Sequence, residues 1–262
     1  MHRIKKHFII NVAMFFLLVS FAGADLKDGL VLYLPFDEGR GQIANDLSGK
    51  KHNGSIEKAE WAEGKFGRAL KFNGVDSFVE IPFADDFIIT DAITLGAWVT
   101  ANVPFSPEWR GIINARKSTY GPFLLHTGGA AKAEIGLYFQ GAWTYLRTAD
   151  SLEPKVFHHV AGTYDQVNGL HIYFDGKLND GAGSAGAKPG KIDEAPEEGV
   201  VVGHNYGLAG RWWDGIIDEV VIYNRVLSED EIAELFKAPP VSIAVEPGDK
   251  LAITWGEAKT NR

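Results

Sequence analysis

The chain of 262 residues has no cysteine. That excludes disulfides, a thiol nucleophile, a cysteine-bound zinc and a lipid-modified cysteine. Basic residues are scarce, 26 against 34 acidic ones, for a net charge of −8. This balance argues against nucleic acid or anionic lipid as a partner; it suits divalent cations or neutral sugars, and simple solubility explains it equally well. Beyond residue 24 no apolar run reaches the ~20 residues that a membrane span needs. No G-x-S-x-G, H-E-x-x-H or Walker A pattern occurs, and no Rossmann signature in which a strand runs through G-x-G-x-x-G into a helix.

What is present begins with an export signature. Arg3, Lys5 and Lys6 precede the apolar stretch Phe8 to Phe21, and Ala22-Gly23-Ala24 has the small residues of a cleavage site. Residues 1–24 are therefore expected to be a signal peptide, with the mature chain starting at Asp25 and placed in the periplasm, at the cell surface or outside the cell. A membrane anchor is the competing reading, disfavoured by the short run and by Asn11 within it. Three basic and no acidic residues lie in this segment, so its removal takes the net charge from −8 to −11.

The rest reads as many short strands. Leu30 to Phe36 is β-rich and ends in the turn signal Asp37-Glu38-Gly39. Leu70 and Phe72, the Asn73-Gly74 turn and Phe78 to Ile81 read as a hairpin. Ile93 to Thr100 alternates, with Ile93, Leu95, Ala97 and Val99 on one face, as in a half-buried strand. Ile112–Lys117, Phe123–His126, Glu134–Phe139, Trp143–Arg147, Phe157–Tyr164, Leu170–Phe174 and Gly199–Asn205 continue the series, and Gly181 to Glu198 reads as a long loop. A β-rich run from Ile216 to Tyr223 contains the acidic pair Asp218-Glu219. After it, Ser228 and Glu231 form a capping box, flanked by the staple residues Leu227 and Ile232, so a short helix is predicted there. With 30 glycines and no long helix, the expected class is all-β: a two-sheet antiparallel sandwich with one short C-terminal helix.

The closing pattern D-G-x-I-D-E-V-x-I-Y-N-R-x-L-S-x-x-E-I, Asp214 to Ile232, resembles the end of a LamG-like (laminin G type 3) jelly-roll domain of the concanavalin A-like lectin/glucanase superfamily. The opening F-D-E-G with D-x-S-G and N-G, the segment GRALKFNGVDSFVEIP, and F-H-H-V-A-G-T-Y-D followed by D-G-K fit the same family; Phe157 stands where the family usually has tryptophan. The resemblance covers about residues 28–238. It implies a jelly roll over 25–238, leaving 239–262 as a tail or the stub of something longer, and a recognition role, commonly with bound calcium.

Three sets of residues are candidates for chemistry. If the first and last strands pair as in the family, Asp37 and Asp218 come together beneath the Asp46 loop, and these three are the expected calcium ligands; turn formation and capping are the alternative role for such acids. Arg116, His126, Tyr138 and Trp143, with Tyr120, Trp109 and Arg110, fall in the strands and loops that form the open face in relatives, where aromatic and polar groups suit sugar rings; filling the core is the equal alternative. Trp98 and Trp212 read as structural. Catalysis is not encoded in a recognisable way. The E-x-D-x-x-E pattern of glycosidases on related sandwiches is approached at Lys191–Glu197, but Lys191 replaces the first acid and Pro196 interrupts the strand. His158 and His159 are adjacent on a strand, point to opposite faces and cannot share an ion. The expected function is an exported module that binds carbohydrate or an extracellular protein, with calcium as its ion. A glycosidase or polysaccharide lyase on this fold, and a purely structural surface module, are the alternatives.

Overall fold

The computed structural model describes residues 25–102, 109–115, 121–194, 199–205 and 210–241, so the expected signal peptide and nearly all of the tail lie outside the described residues. In chain order the strands are β1 (Leu30–Leu34), β2 (Ile43–Ala44), β3 (Gly54–Glu57), β4 (Glu60–Glu63), β5 (Arg68–Asn73), β6 (Phe78–Ile81), β7 (Ala92–Ala101), β8 (Gly111–Asn114) and β9 (Phe123–Thr127). There follow β10 (Ala133–Phe139), β11 (Ala142–Thr148), β12 (His158–Asp165), β13 (Gly169–Phe174), β14 (Lys177–Leu178), β15 (Asp180–Gly183), β16 (Val200–Val202) and β17 (Asp214–Tyr223), then the helix α1 (Glu229–Lys237).

They form two antiparallel sheets. The first runs β14-β13-β12-β7-β17-β5-β4, with β1 also paired to β17; the second runs β15-β11-β10-β9-β8-β16-β6-β3-β2. The predicted sandwich, the pairing of first and last strands, and the β12–β13 hairpin are all present. Because β7 holds one side of β17, β5 and β1 share the other: β5 pairs with Asp214–Ile217 and β1 with Val220–Tyr223. Asp218 and Glu219 fall in the gap between them.

Alternation sets the core. Ile93, Leu95, Ala97 and Val99 of β7 point between the sheets. The opposite set is covered as well: Trp98 is 1% exposed and Thr94 is fully buried, because α1 packs on the outer face of this sheet. Tyr33, Val221, Tyr223, Leu227, Ile232 and Leu235 form a second, smaller apolar cluster there. The helix starts as predicted. Glu231 N–H donates to Ser228 Oγ (3.3 Å), Ser228 N–H donates to Glu231 Oε2 (2.8 Å), and both staple residues are buried.

The expected hairpin over 70–81 is corrected by the pairing. β5 belongs to the first sheet, with β4 and β17, whereas β6 belongs to the second, with β3 and β16. Asn73 is the reason: its Oδ1 accepts from the N–H groups of Val75, Asp76 and Ser77 and from the Ser77 hydroxyl, closing a loop that carries the chain from one sheet to the other.

Candidate functional site

On the second sheet, Ile135, Leu137, Phe139 and Leu146 take the inward positions, so β10 and β11 turn the alternate residues away from the core. The register places Tyr138 opposite Trp143, Gly136 opposite Tyr145 and Glu134 opposite Arg147. Trp143 and Tyr145 stack, with centroids 5.5 Å apart and planes at 17°, and Tyr138 meets Trp143 edge-on at 5.1 Å. All three rings are half-buried. Gly136 makes the arrangement possible, since a Cβ there would stand 2.5 Å from the Tyr145 ring. The Tyr138 hydroxyl donates to the Gly141 carbonyl (2.7 Å) and so fixes its own ring at the β10–β11 turn.

Beside the rings runs a polar ladder across the strands. Arg147 Nε donates to Glu134 Oε2, and Glu134 Oε1 lies 2.8 Å from His126 Nε2. His126 Nδ1 lies 3.3 Å from the amide nitrogen of Asn205, whose Oδ1 accepts from Asn114 (3.0 Å). The Asn205 amide also donates to the Trp109 carbonyl (3.0 Å). With the amide nitrogen facing Nδ1, that atom accepts and the imidazole proton sits on Nε2, toward Glu134. Burial holds His126 below the ordinary imidazole range despite the neighbouring carboxylate. Burial also pushes Glu134 up, but His126 and Arg147 outweigh it and hold the carboxyl low. Glu134 is thus an anion with both oxygens engaged, and His126 is neutral. Stacked rings beside fixed polar groups are the surface that a saccharide uses: apolar C–H faces on the rings, hydroxyls on the polar row.

The acidic junction is built differently. Asp218 is fully buried, and its Oδ2 accepts from the N–H groups of Lys65 (2.7 Å) and Phe66 (3.1 Å) in the β4–β5 turn. Glu219 has φ of 52° in a bulge of β17, and its Oε2 accepts from the Tyr33 hydroxyl (2.7 Å). Each carboxylate keeps one buried oxygen, Asp218 Oδ1 and Glu219 Oε1, with no hydrogen-bond partner among the described residues. Burial pushes Asp218 up to about 7 and Glu219 up to about 8; the neighbouring Asp37 adds to both, and Asp218 adds to Glu219. Asp37 stands near, engaged with the Arg68 N–H at 2.7 Å. The turn depends on glycine: a Cβ at Gly64 would stand 2.5 Å from Asp218 Oδ2.

The expected residues are therefore divided. Asp37 and Asp218 approach one another, but Asp46 does not join them. Its Oδ1 accepts from the N–H groups of Tyr33 and Ser48, and its Oδ2 from the Ser48 hydroxyl and the His52 N–H, so it organises its own loop. Among the described residues no three His, Asp or Glu side chains converge as metal ligands. Tyr138 and Trp143 share the ring-bearing face; His126 is 2% exposed and acts through Glu134; Arg116 and Tyr120 lie outside the described residues. Trp98 is structural as expected. Trp212 is half-exposed against the ring of His204 (3.5 Å), and Trp213 fills the core instead, donating to the Thr100 carbonyl. His158 is tied to Asp175 (2.9 Å) and His159 is packed against Trp98. Sequence reasoning missed Tyr145, Arg147, Glu134 and Asn205. The first two share the alternation of Trp143, which was the usable signal; Asn205 comes from a distant loop and had none.

A family model described as the concanavalin A-like lectin/glucanases superfamily matches residues 73–233. No curated protein matches the chain. Among solved structures, the binding domain of Paraclostridial mosquitocidal protein 1 is similar at a TM-score of 0.66 and 16% identity, over 80% of this chain and 52% of that one. Domain 4 of an extracellular GH43 arabinanase from Geobacillus stearothermophilus, solved with arabinotriose, is similar at 0.62 and 18% identity, over 79% of this chain and 97% of that domain. Trypanosoma rangeli sialidase is similar at 0.56 and 23% identity, over 79% of this chain and 32% of the enzyme. The chain thus spans about half of the toxin domain and a third of the sialidase. At these identities the likeness is one of fold. Among the described residues no helix is long and apolar enough to cross a membrane.

Proposed function

The chain belongs to the concanavalin A-like lectin/glucanase superfamily, and from that premise we propose that it is an exported, non-catalytic module that binds carbohydrate on the outer face of its second sheet. The observation that carries this reading is the Trp143–Tyr145 stack, half-exposed and edged by Tyr138 beside a fixed polar row. Domain 4 of the arabinanase, a full-length match in fold that was solved with an arabinose trimer, supports a saccharide over an extracellular protein as partner. The apolar N-terminal stretch ending in Ala22-Gly23-Ala24 supports export. Binding without catalysis is supported by Glu134: the acid of this face is buried and held as an anion between His126 and Arg147, so it has no proton to give and both oxygens are turned to its own neighbours. Glycan-array binding tests the reading. The parent is expected to bind a defined set of glycans and Trp143→Ala to lose them; an array on which both proteins bind alike, or neither binds, contradicts it.

Calcium enters as a second proposal. The two orphaned oxygens of Asp218 and Glu219 are hard donors in a buried site, and calcium takes such donors; as no third carboxylate converges on them among the described residues, carbonyls or water would complete its shell. Asp46 is omitted from this set because its oxygens are filled. The ion would supply the positive charge the two carboxylates lack and lock β1 and β5 onto β17. Melting curves in chelator, calcium and magnesium test it: calcium alone should raise the midpoint, and three coincident curves would mean that the carboxyls carry protons instead.

A further inference from the structure

Arg147 is the one charged side chain of β11, and it follows Trp143 and Tyr145 on the same face. At a rise of ~3.3 Å per residue it stands about 7 Å beyond Tyr145, so a saccharide lying on the rings carries its next unit over the guanidinium. The group is held from both sides. Glu134 binds its Nε, and Glu134 cannot swing to the terminal nitrogens because His126 holds the other oxygen. Gly128 closes the back, where a Cβ would stand 2.6 Å from Nε. The side chain remains 36% exposed, and among the described residues its two terminal nitrogens have no hydrogen-bond or salt-bridge partner. A planar fork fixed at one edge and open at the other matches a carboxylate, which takes two parallel N–H bonds, better than it matches a lone hydroxyl. Arg211 lies close enough to repel a proton on His126, so the surroundings add positive charge to this end of the face in a chain of net charge −8.

We propose that Arg147 gives the ring-bearing face a preference for saccharides that carry a carboxylate, whether a uronate or a sialate. This rests on the carbohydrate reading above. The test is calorimetric titration of the full chain with trigalacturonate and its methyl ester, and with sialyllactose and lactose, so that each acid is set against a neutral partner of the same scaffold. One acid is expected to bind at least ~10-fold more tightly than its neutral counterpart, the range of a charge-assisted pair. Raising the salt should narrow that ratio, Arg147→Met should erase it, and Arg147→Lys, which keeps the charge and loses the fork, should keep only part. The salt and ester comparisons use the parent protein and so do not depend on how a variant folds. An equal affinity for acid and neutral forms, or a ratio that Arg147→Met leaves intact, overturns the inference. If neutral glycans still bind through Trp143 in that case, the carbohydrate reading stands without it; if Trp143→Ala binds as the parent does, both fall.

Discussion

Two places in this fold bury acids, and they solve the problem in opposite ways. On the second sheet Glu134 meets an imidazole and a guanidinium and is held as an anion below the ordinary carboxylate range. At the junction of β1, β5 and β17, Asp218 and Glu219 meet two backbone N–H groups and a phenol, with no cationic side chain bonded to them among the described residues, and both are pushed up. A buried carboxylate with both oxygens engaged, one of them by a cation, is a finished structural part, whereas one with an oxygen left bare and no cation beside it has to hold a proton or wait for a cation. The first kind can pin a binding surface in place; the second kind makes the fold sensitive to its solution.

The largest effect should come from breaking the compensated site. Glu134→Ala leaves Arg147 and His126 facing an empty polar site and should cost ~3–5 kcal/mol in denaturant unfolding, the usual loss when one partner of a buried pair is removed. Glu134→Gln, which keeps the shape, should cost less. A loss under about 1 kcal/mol for both would mean that the ladder adds little.

The junction should show the reverse sign with pH. Asp218 titrates near 3.8 when unfolded and about 7 when folded, and Glu219 near 4.5 and about 8, in both cases chiefly through burial. The folded state therefore holds these protons more tightly. Their contribution is complete below about pH 4 and is lost as pH rises through 7 and 8. In chelator, the parent should lose stability relative to Asp218→Asn across that window, by ~2–4 kcal/mol, as a shift of this size converts. Parallel pH curves for the two proteins would show that Asp218 is not buried as an acid.

Calcium sharpens the same contrast. An ion binding only the folded state adds ~2.7 kcal/mol at a hundredfold excess over its Kd, so the parent's melting point should rise in calcium and the rise should shrink in Asp218→Asn. Glu134→Gln should keep the full rise, because the second sheet has no part in that site. The smallest effect is expected far from both acids: Ser228→Ala removes the helix cap and should cost ~1 kcal/mol, read as a shift in denaturant midpoint.

Much of this was legible before any coordinates. Strand alternation, the capping box and the acids in the last strand are local signals, and the core of β7 and the start of α1 follow them. What failed was non-local. Asn73-Gly74 carries a hairpin signature, but only the side-chain bonds of Asn73 and the pairing of β5 with β17 reveal a crossing between sheets. Asp46 has the look of a calcium ligand because loop acids that bind cations and loop acids that bind backbone N–H groups are the same residue in sequence. The polar ladder assembles from β8, β9, β10, β11 and the segment after β16, so no single stretch announces it. Glu134 did carry a signal, an acid inside the apolar run EIGLYF, of the same kind as Asp218 in β17.

The division of labour between the two regions is tested most directly by titrating one glycan selected on the array into the parent, Trp143→Ala and Asp218→Asn under one set of conditions. Loss of the stacked indole should weaken binding at least ~10-fold, about 1.4 kcal/mol, while Asp218→Asn binds as the parent does. Equal binding by parent and Trp143→Ala, with a loss in Asp218→Asn, would contradict the account and move the ligand to the acidic junction.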